Sequence, residues 1–246
     1  EGLLYSTLAG ASTAIGAIIL MFTGSPGKKL MAGLLGFAAG IMVSVSVFEL
    51  MPESLELGSM PIVIVGFLLG CGLMLLLDRL VPHAHLSQSD DLITENAERL
   101  KLKNQTLRTG YLIFLGIALH NVPEGLAIGA GLESNPALGL SIALAIGLHN
   151  VPEGLAVAGP LKAGGMNNLK ILLFTLGAGL MTPLGTIIGM LIFGISEALI
   201  SGSLAFAAGA MMYIVNDELI PQANKLHNHS ANAGFIIGLL LAFLLL

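Results

Sequence analysis

Leu119-His120-Asn121-Val122-Pro123-Glu124-Gly125-Leu126-Ala127 returns unchanged as Leu148-His149-Asn150-Val151-Pro152-Glu153-Gly154-Leu155-Ala156. Each copy is embedded in an apolar stretch, near Gly110 to Leu132 and Ala137 to Pro160. Within a copy, His and Glu are four residues apart, so on a helix they share one face about a turn from each other. An imidazole and a carboxylate so placed form half of a first-row metal site. Asn121 and Asn150 add neutral oxygen donors on a neighbouring part of each helix surface. Pro123 and Pro152 remove a helical hydrogen bond and free the carbonyls of Leu119 and Leu148, which hydrocarbon cannot satisfy.

The rest of the chain sets the motifs in a membrane. Of 246 residues, 55% are hydrophobic and 10% charged, against roughly 25% charged in an average soluble domain. A bilayer core about 30 Å thick takes around 20 apolar helical residues. Eight stretches qualify, near Leu3 to Thr23, Leu30 to Met51, Pro61 to Leu80, Gly110 to Leu132, Ala137 to Pro160, Ile171 to Ile195, Leu204 to Ile220 and Ala231 to Leu246. The expected fold is therefore an all-α integral membrane protein of eight transmembrane helices, one domain over residues 1–246. Lys28, Lys29, Arg79, Arg99, Lys101, Lys103, Arg108, Lys162, Lys170 and Lys225 all fall on one face of that layout. Cationic loops stay in the cytoplasm, so both termini are expected outside, in a multi-pass protein of the cell membrane.

Consecutive spans run in opposite directions, which places the two motifs around a local two-fold axis in the membrane plane. His120 then lies nearer the cytoplasm than Glu124, and His149 nearer the outside than Glu153. All four fall near the midplane, where inverted-repeat transporters hold their substrate. A pair of buried His-Glu contacts that merely joins two helices is the simpler reading. Two carboxylates at bilayer depth are costly and repel each other, however, and a divalent cation relieves both penalties.

Other features narrow the partners. Ten Lys and Arg against fifteen Asp and Glu leave no basic patch for nucleic acid. Cys71 stands alone, so no disulfide forms within the chain, and a packing role is expected. No Gly-Lys-Ser/Thr phosphate loop suggests nucleotide coupling, and no organic cofactor is expected. The polar segment 82–109 reads as a cytoplasmic loop, either a solvated linker or, through His83 and His85, a collector of metal; His227 and His229 pose the same choice.

At the duplicated motif the sequence resembles the Zrt/Irt-like (ZIP) family of divalent metal transporters, in its prokaryotic branch. The resemblance covers essentially the whole chain and implies metal ligation by His120, Asn121, Glu124, His149, Asn150 and Glu153. It also singles out Met42, closing Gly36-Phe37-Ala38-Ala39-Gly40-Ile41-Met42, as a soft ligand. Glu49, seven residues on and on the same face, would draw cations into the mouth. Asn216-Asp217-Glu218-Leu219-Ile220-Pro221 resembles the family segment near the cytoplasmic exit. Many relatives carry Glu before the Pro-Leu-Gly of span six, where this chain has Thr182; one strong metal site is therefore expected, with any second ion held weakly. The family's motion implies an elevator carrying metal from outside to cytoplasm, and a homodimer is compatible with it.

The donor set suits zinc, with cadmium, iron and manganese also accommodated. Proton coupling is left open. Two other classes remain. An intramembrane metalloprotease also places His and Glu in an apolar helix, but its usual pattern is His-Glu-x-x-His with a Glu base. Here each motif is His-x-x-x-Glu with proline between. A metal-gated channel or sensor would bind at the same residues without cycling.

Overall fold

A computed structural model describes residues 2–24, 26–80, 83–86, 92–95, 105–193 and 196–245. The chain is helical at hydrocarbon length. α1 is Gly2–Thr23. α2, Lys28–Ser44, continues through a π-helical turn, Val45–Leu50, into α3, Met51–Leu57. α4 is Met60–Leu80, α5 Gln105–Ser134 and α6 Pro136–Ala163. α7, Asn168–Gly179, and α8, Met181–Phe193, are separated by Leu180. α9, Glu197–Ile214, passes through a second π-helical turn, Val215–Leu219, into α10, Ile220–Leu245.

Proline accounts for the irregular places. Pro52 and Pro221 each follow a π-helical turn. Having no N–H and crowding the carbonyl four residues back, proline favours a locally widened helix before it. Pro183 crowds Gly179 in the same way, so the sixth span, expected as one helix from Ile171 to Ile195, is broken at Leu180. Pro123 and Pro152, by contrast, sit within continuous helix.

The fourth span starts earlier than expected. α5 begins at Gln105, inside the segment read as linker, and His83–Leu86 pairs with Leu92–Glu95 as an antiparallel hairpin. His83 and His85 lie on its first strand, opposite Glu95 and Ile93.

Among the described residues, seven helical runs are long and apolar enough to cross a membrane, and the last, Glu197–Leu245, has 49 residues. At about 1.5 Å per residue a straight helix of that length would be more than twice the bilayer core. His227 interrupts it with extended backbone, φ −169° and ψ 101°. Ile220, Ala223 and Asn224 before the break line the same 200 Å³ cavity as Ala231, Asn232 and Phe235 after it. Met211 before the break meets Ser46, and Phe243 after it meets Phe48, two residues further along the first π-helical turn; the chain therefore folds back on itself at His227.

A second internal repeat explains that hairpin. Ala9-Gly10-x-x-Thr13 recurs as Ala178-Gly179-x-x-Thr182. At the same spacing along the chain, Ala38-Ala39-Gly40-x-Met42 recurs as Ala207-Ala208-Gly209-x-Met211, and Glu49-Leu50-x-Pro52 as Glu218-Leu219-x-Pro221. The local structure repeats too. The starts of α2 and α9 correspond, the two π-helical turns coincide to within a residue, and Gly58, where α3 ends, matches the break at His227. The arm of α10 after His227 is thus the counterpart of α4.

Close glycine contacts join the halves. Gly10 and Gly179 face each other so tightly that a Cβ on either would strike the other's carbonyl. Gly234 and Gly238 pack on the carbonyls of Gly33 and Phe37 in α2, as Gly66 and Gly70 pack on Gly202 and Phe206 in α9. Small residues that let backbones approach are how helices associate where lipid supplies no hydrophobic drive. The outcome is two bundles: α1 with α5 to α8, and α2 to α4 with α9 and α10, meeting where α5 touches α9 and α6 touches α2.

Candidate metal site

α5 and α6 pack antiparallel along their length, from Gly110 against Leu161 to Leu132 against Gly139, which brings the two motifs together at the middle. The pairing is crossed. His120 Nε2 lies 3.2 Å from Glu153 Oε2, and His149 Nε2 lies 2.8 Å from Glu124 Oε1. Each helix thus supplies the imidazole for the other's carboxylate, as a local two-fold relation requires. His149 also reaches Glu153 on its own helix at 3.9 Å. All six motif side chains are 1% exposed or less, in a protein whose outer helix faces bristle with Leu and Ile.

The asparagines are held by the neighbouring helices. Asn121 Nδ2 donates to Ala178 O at 2.8 Å, and Asn150 Nδ2 donates to Ala9 O at 3.0 Å. Ala9 and Ala178 are mates in the long repeat, so both repeats share one axis. Gly125 and Gly154, closing the motifs, rest on the carbonyls of Thr182 and Thr13, again a matched pair. With their amide nitrogens so engaged, the Oδ1 atoms of Asn121 and Asn150 are buried without a partner, as are Nδ1 of both histidines and Oε2 of Glu124.

Buried polar atoms are normally hydrogen-bonded. A group of unsatisfied lone pairs beside two carboxylates is an arrangement a cation would complete. One donor atom from each of His120, Glu124 and Glu153 can be chosen so that all lie within 4.8 Å of one another. Two carboxylates with neutral imidazoles and amide oxygens balance one divalent ion.

Of the other residues singled out from sequence, Met42, Glu49, Asp217, Glu218 and Thr182 lie on α2, the two π-helical turns and α8. Met42 is fully buried in the large apolar core, with Met211, its repeat mate, in the same cluster. Glu49 is half-buried in the first π-helical turn; Asp217 and Glu218 are half-buried in the second. Glu218 is the one that reaches the site's surroundings: a narrow cavity of about 20 Å³, lined by His120, Glu153, Gly116, Glu218 and Gln222, joins it to the central pair. Thr182 is fully buried, and its hydroxyl has no partner. Gln222, and Thr13 as the mate of Thr182, stand outside the sequence motifs. The signal was the long repeat, whose identities are mostly common small residues.

Spans of hydrocarbon length around a buried His, Glu and Asn donor set define a polytopic membrane protein with a candidate metal centre. The chain belongs to the ZIP family of metal transporters. A family model described as ZIP Zinc transporter matches residues 80–246. The zinc transporter ZupT of Enterobacter sp. (strain 638) is 39% identical over 242 residues, 96% of this chain and 92% of that one. ZupT of Escherichia coli O7:K1 is similar to the same extent. The protein is accordingly a transporter of metal ions and not an enzyme.

Proposed function

We propose that this protein carries zinc-like divalent ions from outside the cell into the cytoplasm by elevator-like alternating access. The observation that carries the reading is the pair of crossed contacts, His120 with Glu153 and His149 with Glu124, buried at mid-helix and met by the cavity that runs to Glu218. One ion is held by His120, Glu124, His149 and Glu153, with Asn121 and Asn150 as oxygen donors and Met42 as a soft contact. Cations enter past Glu49 and leave past Glu218 and Asp217. The first bundle, which holds the His, Glu and Asn donors, moves against the second, which holds Met42.

The 49-residue run counts as two crossings, making eight in one domain, with both termini outside and the loop 82–109 in the cytoplasm. Its support is the fold-back at His227 and the confinement of Lys and Arg to one set of helix ends. His83 and His85 in that loop offer a further place for metal. Zinc is preferred; cadmium, iron and manganese fit the same donors. The setting is the cell membrane, where a homodimer fits the family.

Uptake into proteoliposomes tests the reading. Purified protein should import zinc saturably, lose import on Glu153→Ala, and leave added membrane proteins uncleaved. Binding without import would mark a sensor, and cleavage a protease.

A further inference from the structure

The long repeat pairs Glu49 with Glu218 and, one turn further on, Glu53 with Gln222. The paired positions have different surroundings. At one end of the molecule Glu218 and Gln222 border the cavity that reaches His120 and Glu153. At the other end the Glu53 carboxylate accepts a hydrogen bond from the Ser134 hydroxyl, in the last residue of α5. That contact joins the two bundles. Glu53 is held firmly on its own side, because the neighbouring Ser54 exchanges hydrogen bonds with Ser201 of α9, each hydroxyl donating to the other's carbonyl at 2.7 and 2.8 Å.

In a carrier built from inverted repeats, the alternate state is reached when the two halves exchange surroundings. The position that borders a cavity in one half is therefore the position that seals the other. We infer that Glu53 and Ser134 form a latch that holds the outer mouth shut while the inner mouth communicates with the central site, and that the latch opens in every transport cycle. The inference rests on the transport reading above. A hydrogen bond to a carboxylate is among the stronger ones, yet both partners are only half-buried. Such a contact biases the balance between two states without fixing it. Ser134 is the positioning residue, and Glu53 is released to face incoming cations when the bundles part.

Disulfide trapping tests the latch. In a Cys71→Ser background, Glu53→Cys with Ser134→Cys should cross-link under mild oxidation. Zinc import into proteoliposomes should then fall to background and return on reduction, while calorimetry still finds zinc bound at the central site. Failure to cross-link, or full import by the cross-linked protein, would overturn the latch. Import by the reduced protein keeps the transport reading intact in either case, whereas absence of import by wild type would sink that reading and the latch with it. A single substitution gives an independent measurement. Ser134→Ala should speed labelling of a cysteine at Glu49 by an impermeant maleimide from outside, roughly threefold to tenfold, the shift expected from losing one hydrogen bond that biases two states. An unchanged labelling rate would also overturn it.

Discussion

His149 on α6 approaches Glu124 on α5 to 2.8 Å, closer than it comes to Glu153 on its own helix, 3.9 Å away. The i to i+4 spacing that makes each motif legible is thus not the contact the fold uses most tightly. The fold uses the spacing to put both groups on the facing side of each helix and then trades partners across the axis. Every donor at the centre depends on both helices at once.

It follows that single substitutions should be as damaging as double ones. His120→Ala and Glu153→Ala belong to one crossed pair, and each should lower zinc import by at least roughly tenfold, since even outer groups of metal sites cost that much. Combining them should add little. Both proteins should still insert and purify. Wild-type import by either variant would remove the pair from the transport path.

The duplicated motif was legible because nine residues in a row are identical and three of them are polar in apolar surroundings. Hydropathy marked the apolar helices, including the separation of the last two stretches on either side of His227, but not the interruption at Leu180. Pro183 in an apolar run gives only a weak hint of a break, whereas the polar stretch 221–230 around His227 stands out between two apolar ones. The long repeat escaped for a different reason. Ala, Gly and Leu recur everywhere in such a chain, so matches like Ala38-Ala39-Gly40 with Ala207-Ala208-Gly209 carry meaning only once helix ends and π-helical turns fall into step with them. Glu53 and Ser134 could not have been paired from sequence at all, because they sit on separate bundles.

Orientation has a direct test. In a Cys71-free background, cysteines at Lys28, Lys162 and Lys225 should react with an impermeant reagent only from the cytoplasmic face. Cysteines at Glu133 and Glu197 should react only from outside. Labelling any of the five from the wrong side would invert or break the proposed layout.

The contact between Gly10 and Gly179 predicts a stability effect with an internal control. Gly10→Ala drives a methyl group into the Gly179 carbonyl, where backbone on both sides cannot yield. Overpacking of this kind costs about 1–3 kcal/mol or more, and the detergent-solubilised protein should melt at a clearly lower temperature. Gly177→Ala, on the same bundle but with nothing within 4 Å of the new methyl, should leave the melting temperature nearly unchanged. Equal melting of the two variants would mean that α1 and α7 do not meet as described.

Thr182 gives the last prediction. Glu124 and Glu153 together neutralise one divalent ion, and a second ion a few Å away would repel the first strongly in so dry a site. Calorimetry should therefore count one tight zinc per wild-type chain. Thr182 is completely buried, its hydroxyl has no partner, and its carbonyl packs on Gly125, one residue beyond Glu124. A carboxylate placed there has no cation to meet in the metal-free protein, and an unpaired buried charge is expensive. Thr182→Glu should consequently lower the melting temperature without metal. Zinc should restore it by more than it raises wild type, because ligand bound only to the folded state stabilises that state. The variant should also bind additional zinc. If Thr182→Glu melts below wild type by the same margin with and without zinc, the new carboxylate does not face the metal, and Thr182 is packing alone.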